Sequence, residues 1–215
     1  DIPIPGMNVG FGVVHEVPRR SDNKQGALKV TNNSLDLAVS GVGMFITASP
    51  DDGGISYTRD GGFLIDREGV LRTTDKRLVL SELGEPIVIP PQRVDENGET
   101  SLLDTIQINN RGGIRLAYGD GSIVDVGNIG LARFGNIAGL KPTGSAQFVV
   151  TEKSGPAIVD VPMADGYGQV IQGHLESSNA VIADELVRLM RAQQAYAGSS
   201  RLLQSAVEMS KRLTS

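Results

Sequence analysis

Residues 57–73 read YTRDGGFLIDREGVLRT. Two short runs of β-type residues are set off by Asp60-Gly61-Gly62 and by Asp66-Arg67-Glu68-Gly69, the turn chemistry that joins antiparallel strands. Gly61, Gly62 and Gly69 are the turn formers, with Gly62 expected at positive φ. Arg59 and Asp60 form either an exposed pair between molecules or an ordinary solvated turn. No nucleophile, base or ligand set accompanies these residues, so the stretch reads as shape without chemistry.

The same grammar extends outward. LDLAVSG, 35–41, alternates Leu35, Leu37 and Val39 as a half-buried strand should, and GMFITAS follows before the Asp51–Gly54 turn. Downstream, PIVIP, TIQIN, GGIRLAY, GSIVDVGNIGLARF and AQFVVTE read as further strands, with PQRVDENGETS and the KPTGS region as loops. The pattern predicts one compact β-domain of antiparallel strands, arranged as a meander. Residues 1–30 are an extended linker with a weak β segment, because Pro3 and Pro5 hold their predecessors extended. Residues 31–176 are the β-domain.

From 177 to 215 the character changes. Val181 to Leu213 contains no Pro and one Gly, and Ile182, Leu186, Leu189, Gln193, Tyr196, Ser200, Leu203, Val207, Ser210 and Leu213 fall at steps of three and four. That spacing makes an apolar seam along one long helix, with Asn179 as N-cap and Asp184 and Glu185 in the first turns. At 1.5 Å per residue the rod is roughly 50 Å long. Its stripe is covered either by a partner helix or by the chain's own β-body.

Composition narrows the function. The net charge of −5, aromatic content of 4% and absence of Trp supply neither a basic face nor a stacking platform for nucleic acid. No apolar run approaches the ~20 residues of a membrane helix. With no Cys, disulfides, thiol catalysis and thiolate metal sites are excluded. His15 and His174 stand apart with no companion at metal-site spacing. Ser21–Lys24 matches Ser-x-x-Lys by its letters alone, and no Lys-Thr-Gly accompanies it. Gly10-Phe-Gly12 and Gly41-Val-Gly43 lack the third glycine of a dinucleotide fingerprint. Asp95–Glu99 breaks the calcium-loop pattern and reads as a solvated turn. The expectation is a chain that is not an enzyme, with no cofactor and no metal.

Three stretches resemble the flagellar basal-body rod and hook protein family. In Gln25 to Phe45, Gln25-Gly26 and Thr31-x-Asn33-x-x-Asp36-x-Ala38 precede Gly41-x-Gly43-Met44-Phe45. The opening stretch supplies Tyr57-Thr-Arg-Asp-Gly-x-Phe63 and Asp66-x-x-Gly69-x-Leu71. Gly173-x-Leu175-Glu176-x-Ser178-Asn179, Glu185-Leu-Val187 and Gln193-x-Ala-Tyr196 complete the set. Met44, Gln194 and Ala180-Val181 depart from the usual residues, and Lys76-Arg77 occupies a turn that often carries Gly. The size of the β-domain and the segment ahead of Gln25 are most similar to distal rod members, then proximal rod members, then hook members.

What the resemblance implies is a structural subunit. Terminal helices of many copies form the inner tube of a hollow helical filament, and β-domains form its outer layer. The partners are further copies and neighbouring rod and hook proteins. The location is the basal body, reached through the flagellar secretion system. Family members begin with an N-terminal helix that pairs with the C-terminal one; this chain is expected to start beyond it. A surface adhesin is the alternative from another class, and a β-rich hydrolase with spatially paired carboxylates a third.

Overall fold

A computed structural model describes residues 25–94, 98–177 and 189–200. Within them lie seventeen strands. The first seven are β1 (Leu28–Val30), β2 (Leu37–Ser40), β3 (Met44–Ala48), β4 (Ile55–Thr58), β5 (Phe63–Ile65), β6 (Leu71–Thr73) and β7 (Leu78–Val79). Next come β8 (Gln92–Val94), β9 (Thr100–Ile108), β10 (Gly113–Tyr118), β11 (Ile123–Asn128) and β12 (Leu131–Arg133). The last are β13 (Lys141–Gly144), β14 (Gln147–Val149), β15 (Ile158–Asp160), β16 (Gln169–Gln172) and β17 (His174–Glu176). A helix, α1, spans 189–200.

Every strand pairing among the described residues is antiparallel. The largest sheet runs β13-β14-β4-β3-β7-β6-β5, with β12 joining β3 to β15. A second sheet runs β11-β10-β9-β8, and two ladders pair β2 with β16 and β1 with β17. Neighbouring strands supply the meander the sequence predicts. Six pairings it does not predict close the body: β1–β17, β2–β16, β3–β7, β3–β12, β4–β14 and β12–β15.

Two apolar clusters fill the interior. One gathers Leu37, Val39, Phe45, Phe63, Leu71, Ile89, Ile114, Leu116 and Ile129; the other holds Met44, Ile46, Tyr57, Ala132 and Phe134. Each contains or borders an edge-to-face aromatic pair, Phe45–Phe63 at 5.1 Å and Tyr57–Phe134 at 4.8 Å.

Several local expectations change. Leu37, Ala38 and Val39 are all fully buried, so β2 is covered on both faces rather than one. The expected loop at 91–101 contributes β8 and the start of β9, with Gln92 opposite Leu102. The KPTGS region forms β13, an exposed edge strand that tolerates Pro142. GSIVDVGNIGLARF divides into β11 and β12, and at the break Gly130 packs too tightly on the Ser81 carbonyl for any side chain. PIVIP buries Ile87 and Ile89 but makes only isolated bridges at Pro86 and Val88, as Pro86 and Pro90 have no N–H to give a ladder.

Candidate functional site

The only α-helix among the described residues, α1, is exposed at every position. Leu189 is 58% and Tyr196 80% exposed, and Gln193, between them on the same face, is also open to solvent. Leu186, Leu203, Val207 and Leu213, the other seam residues, lie outside the described residues, as do Asn179, Asp184 and Glu185. Over 189–200 the β-body does not cover the stripe. The Ser199 hydroxyl donates to the Ala195 carbonyl one turn back, at 3.0 Å.

Described residues from all three stretches that carry the family resemblance meet at one place on the β-body. There β1 pairs with β17, Leu28 opposite Glu176 and Val30 opposite His174. The Ser177 amide donates to the Ala27 carbonyl at 2.9 Å. The Glu176 carboxylate is held at both oxygens: Oε1 accepts the Gly26 amide at 2.8 Å, and Oε2 accepts Arg59 at 3.4 Å. Arg59 also donates to the Gly41 carbonyl at 2.7 Å. Gln25 completes the clamp, its side-chain amide donating to the Val39 carbonyl at 2.6 Å and accepting the Gly41 amide at 3.0 Å. Both Glu176 and Arg59 are largely buried, with 12% and 25% of their side chains exposed. A charge pair in that setting is screened less by salt than a solvated one.

Asp36 ties the second ladder to the same place. Its carbonyl accepts the Gly173 amide at 2.7 Å, and its carboxylate accepts from the Asn33 side chain at 3.0 Å. Gln172 reaches across to the Ser34 and Ile106 carbonyls at 2.8 and 2.9 Å. We term this arrangement the neck. It joins residues about 150 positions apart in sequence through polar contacts.

The turn glycines divide. Gly69 has φ +82 and closes the Asp66 turn, its amide donating to the Asp66 carbonyl at 3.1 Å. Gly61 is needed for close approach: a Cβ there would lie 1.7 Å from the Leu37 carbonyl oxygen and 3.1 Å from the Phe45 ring. Gly62 is not among the positive-φ residues, and a Cβ on it meets nothing nearer than 3.5 Å, so the expectation of positive φ does not hold. It forms a bridge with Asp36 in place of a left-handed turn. Arg59 serves the neck within the chain, and the Asp60 carboxylate accepts the Gly62 amide at 3.1 Å.

The Asp66 carboxylate accepts the Glu68 and Val70 amides at 3.1 and 2.7 Å and pairs with Arg72. Lost hydration raises its pKa, but the Val70 amide, Arg72 and the Glu68 amide together hold it below the ordinary value.

Sequence reading missed a buried polar knot. Thr47 Oγ1 lies 2.9 Å from Ser56 Oγ and 3.1 Å from Gln147 Oε1, and the Ser56 hydroxyl donates to that same oxygen at 2.8 Å. It pins β3, β4 and β14 in register; the only sequence signal was three polar residues inside strand patterns. His174 sits in β17 with Nδ1 2.9 Å from the Gln172 carbonyl. Among the described residues no three His, Asp or Glu side chains converge as metal ligands. His15, Ser21–Lys24 and most of Asp95–Glu99 lie outside them. No helix of the described residues is long and apolar enough to cross a membrane.

Residues 171–215 match the family described as flagellar basal body rod FlgEFG protein C-terminal, and residues 38–116 the flagellar hook protein FlgE/F/G D1 domain. The flagellar basal-body rod protein FlgG of Buchnera aphidicola subsp. Schizaphis graminum is 32% identical over 217 residues, covering 100% of this chain and 77% of that protein. FlgG of Agrobacterium fabrum is 34% identical, covering 95% and 72%. The basal-body rod protein FlgF of Caulobacter vibrioides is 30% identical, covering 87% and 67%. The chain belongs to the flagellar basal-body rod and hook protein family, and it resembles the FlgG rod proteins over nearly its whole length.

Proposed function

We propose that the chain is a structural subunit of the bacterial flagellar rod, in its distal part, polymerising into a hollow helical shaft that transmits torque. The observation that carries this reading is the pairing of an uncovered helix with a rigid neck. The helix seeks burial against other copies, and the neck passes load from it to the β-body. Similarity to proteins named as FlgG rod proteins supports the distal position. Each Leu or Tyr of the seam that becomes buried contributes about 1.5–3 kcal/mol before ordering costs.

In this reading residues 31–176 form the outer layer and 177–215 the assembly arm, along Leu186, Leu189, Gln193, Tyr196, Leu203, Val207 and Leu213. The partners are further copies and the adjoining rod and hook proteins. The chain does no catalysis, holds no cofactor, binds no nucleic acid and does not insert into the membrane. It reaches the basal body through the flagellar secretion system, and a chain free of Cys suits passage in unfolded form.

The test is the double substitution Leu189→Asp with Tyr196→Asp in the source bacterium. It should abolish swimming and reduce basal bodies with complete rods at least tenfold, while the purified variant keeps the thermal transition of its β-domain. Normal basal bodies in that strain would sink the seam.

A further inference from the structure

Four Asp-Gly steps lie within the described residues: Asp52-Gly53, Asp60-Gly61, Asp120-Gly121 and Asp165-Gly166. At such a step the glycine, having no side chain, lets its amide nitrogen close on the preceding carboxyl carbon. The nitrogen bonds to the Asp Cγ, and the carboxyl hydroxyl leaves with the amide proton as water, giving a five-membered succinimide. Water then adds to one of the two ring carbonyls. Opening at the main-chain carbonyl leaves the backbone running through the side-chain carboxyl, an isoaspartate of unchanged composition. Ring closure needs a free amide, an uncharged carboxyl and room for the ring.

The fold withholds these conditions at three of the steps. The Gly53 amide donates to the Ser49 carbonyl at 3.0 Å, and the Gly121 amide to the Tyr118 carbonyl at 2.9 Å. The Asp52 carboxylate accepts the Gly54 amide at 3.0 Å, and the Asp120 carboxylate accepts the Ser122 amide at 2.8 Å. Hydrogen bonds from the Ser49 and Ser122 hydroxyls, joined by those amides, hold both carboxyls below their ordinary pKa and so keep them charged. The Asp60 carboxylate accepts the Gly62 amide at 3.1 Å. Gly61 is buried against the Leu37 carbonyl, which leaves no room for a ring.

Asp165-Gly166 carries none of these restraints. Both residues are exposed. Among the described residues neither the Asp165 carboxylate nor the Gly166 amide has a hydrogen-bond partner. They form the centre of a turn closed by the Tyr167 amide on the Ala164 carbonyl at 2.9 Å, with Gly166 at φ +80. Arg133 packs beside the Gly166 Cα, where a Cβ would lie 2.6 Å from its Nη1, but it forms no ion pair with Asp165. We infer that Asp165 is the Asp-Gly aspartate at which the folded chain isomerises to isoaspartate, a modification site open to a methyltransferase that recognises the displaced α-carboxylate. The added backbone carbon enters the segment that joins β15 to β16.

The test holds the folded chain warm at neutral pH for several weeks in water enriched in heavy oxygen. Each passage through a succinimide fixes one heavy oxygen, which peptide mass spectrometry counts and fragmentation places. Label at Asp165 should exceed that at Asp52, Asp60 or Asp120 at least fivefold. An isoaspartyl methyltransferase should transfer methyl to the peptide carrying residue 165, and Asp165→Glu should remove that signal. Equal or greater label at any of the other three steps would overturn the assignment. In concentrated urea the four steps should converge to within about twofold. A lead by Asp165 that survives unfolding would belong to its flanking residues, and would equally overturn the role given to the fold.

Discussion

Gly61 and Gly62 are neighbours with the same side chain, yet the fold asks different things of them. An added methyl on Gly61 would have to enter the Leu37 carbonyl, whereas on Gly62 it would reach only ordinary contact distance from Asp60. Gly61→Ala should therefore cost at least about 2 kcal/mol in urea unfolding, and Gly62→Ala less than about 0.5 kcal/mol. Equal losses would refute the assignment. The sequence marked both as turn residues, since local chemistry announces a turn; it could not announce a carbonyl arriving from residue 37. Asp66 makes the other residue-scale prediction. Its folded pKa lies below the ordinary 3.8, so its stabilisation is present above that value and is lost as pH falls through the depressed folded pKa. Asp66→Asn should be less stable at neutral pH, and its melting temperature should fall less steeply below about pH 4 than that of the parent. Parallel melting profiles across that range would show that the carboxylate does no such work.

At the scale of elements, the β6–β7 hairpin carries a residue in the left-handed region. Lys76 holds φ +62 at the end of the Thr73 turn. A lysine there carries left-handed strain that glycine lacks. Lys76→Gly should raise stability by about 0.5–1 kcal/mol after the entropy of a freer unfolded chain is deducted, measured by thermal unfolding. Lower stability would mean that the lysine side chain matters more than its backbone. Elements were legible where burial alternates or a turn residue punctuates, as in β3, β4, β5, β6 and β10. They were hidden where it does not. All of β8 and β13 is exposed, so neither shows an apolar period, and residues 86–90 look apolar enough for a strand but lack the amides for one.

For the whole molecule, the decisive contacts are the ones furthest apart in sequence. Gln25, Gly26, Gly41, Arg59 and Glu176 stood out in the sequence as parts of a family pattern, without roles; only the folded chain shows that they touch. No periodicity links residue 26 to residue 176, so local reading could not find the neck, while the helix over 189–200 was legible because its pattern is local. If the neck is the joint, Glu176→Ala should speed hydrogen exchange of the Gly26 and Ser177 amides at least tenfold and leave β3 amides unchanged. Uniform acceleration would instead indicate general destabilisation. The central claim, that the chain is a wall and shaft element of the distal rod, is tested most directly by immunogold labelling of hook–basal bodies purified from the source bacterium, with antibody against residues 31–170. The account predicts gold on the distal rod, with rods partly dismantled where needed to expose the epitope. Label confined to the cell surface, with none on intact or dismantled basal bodies, would contradict it.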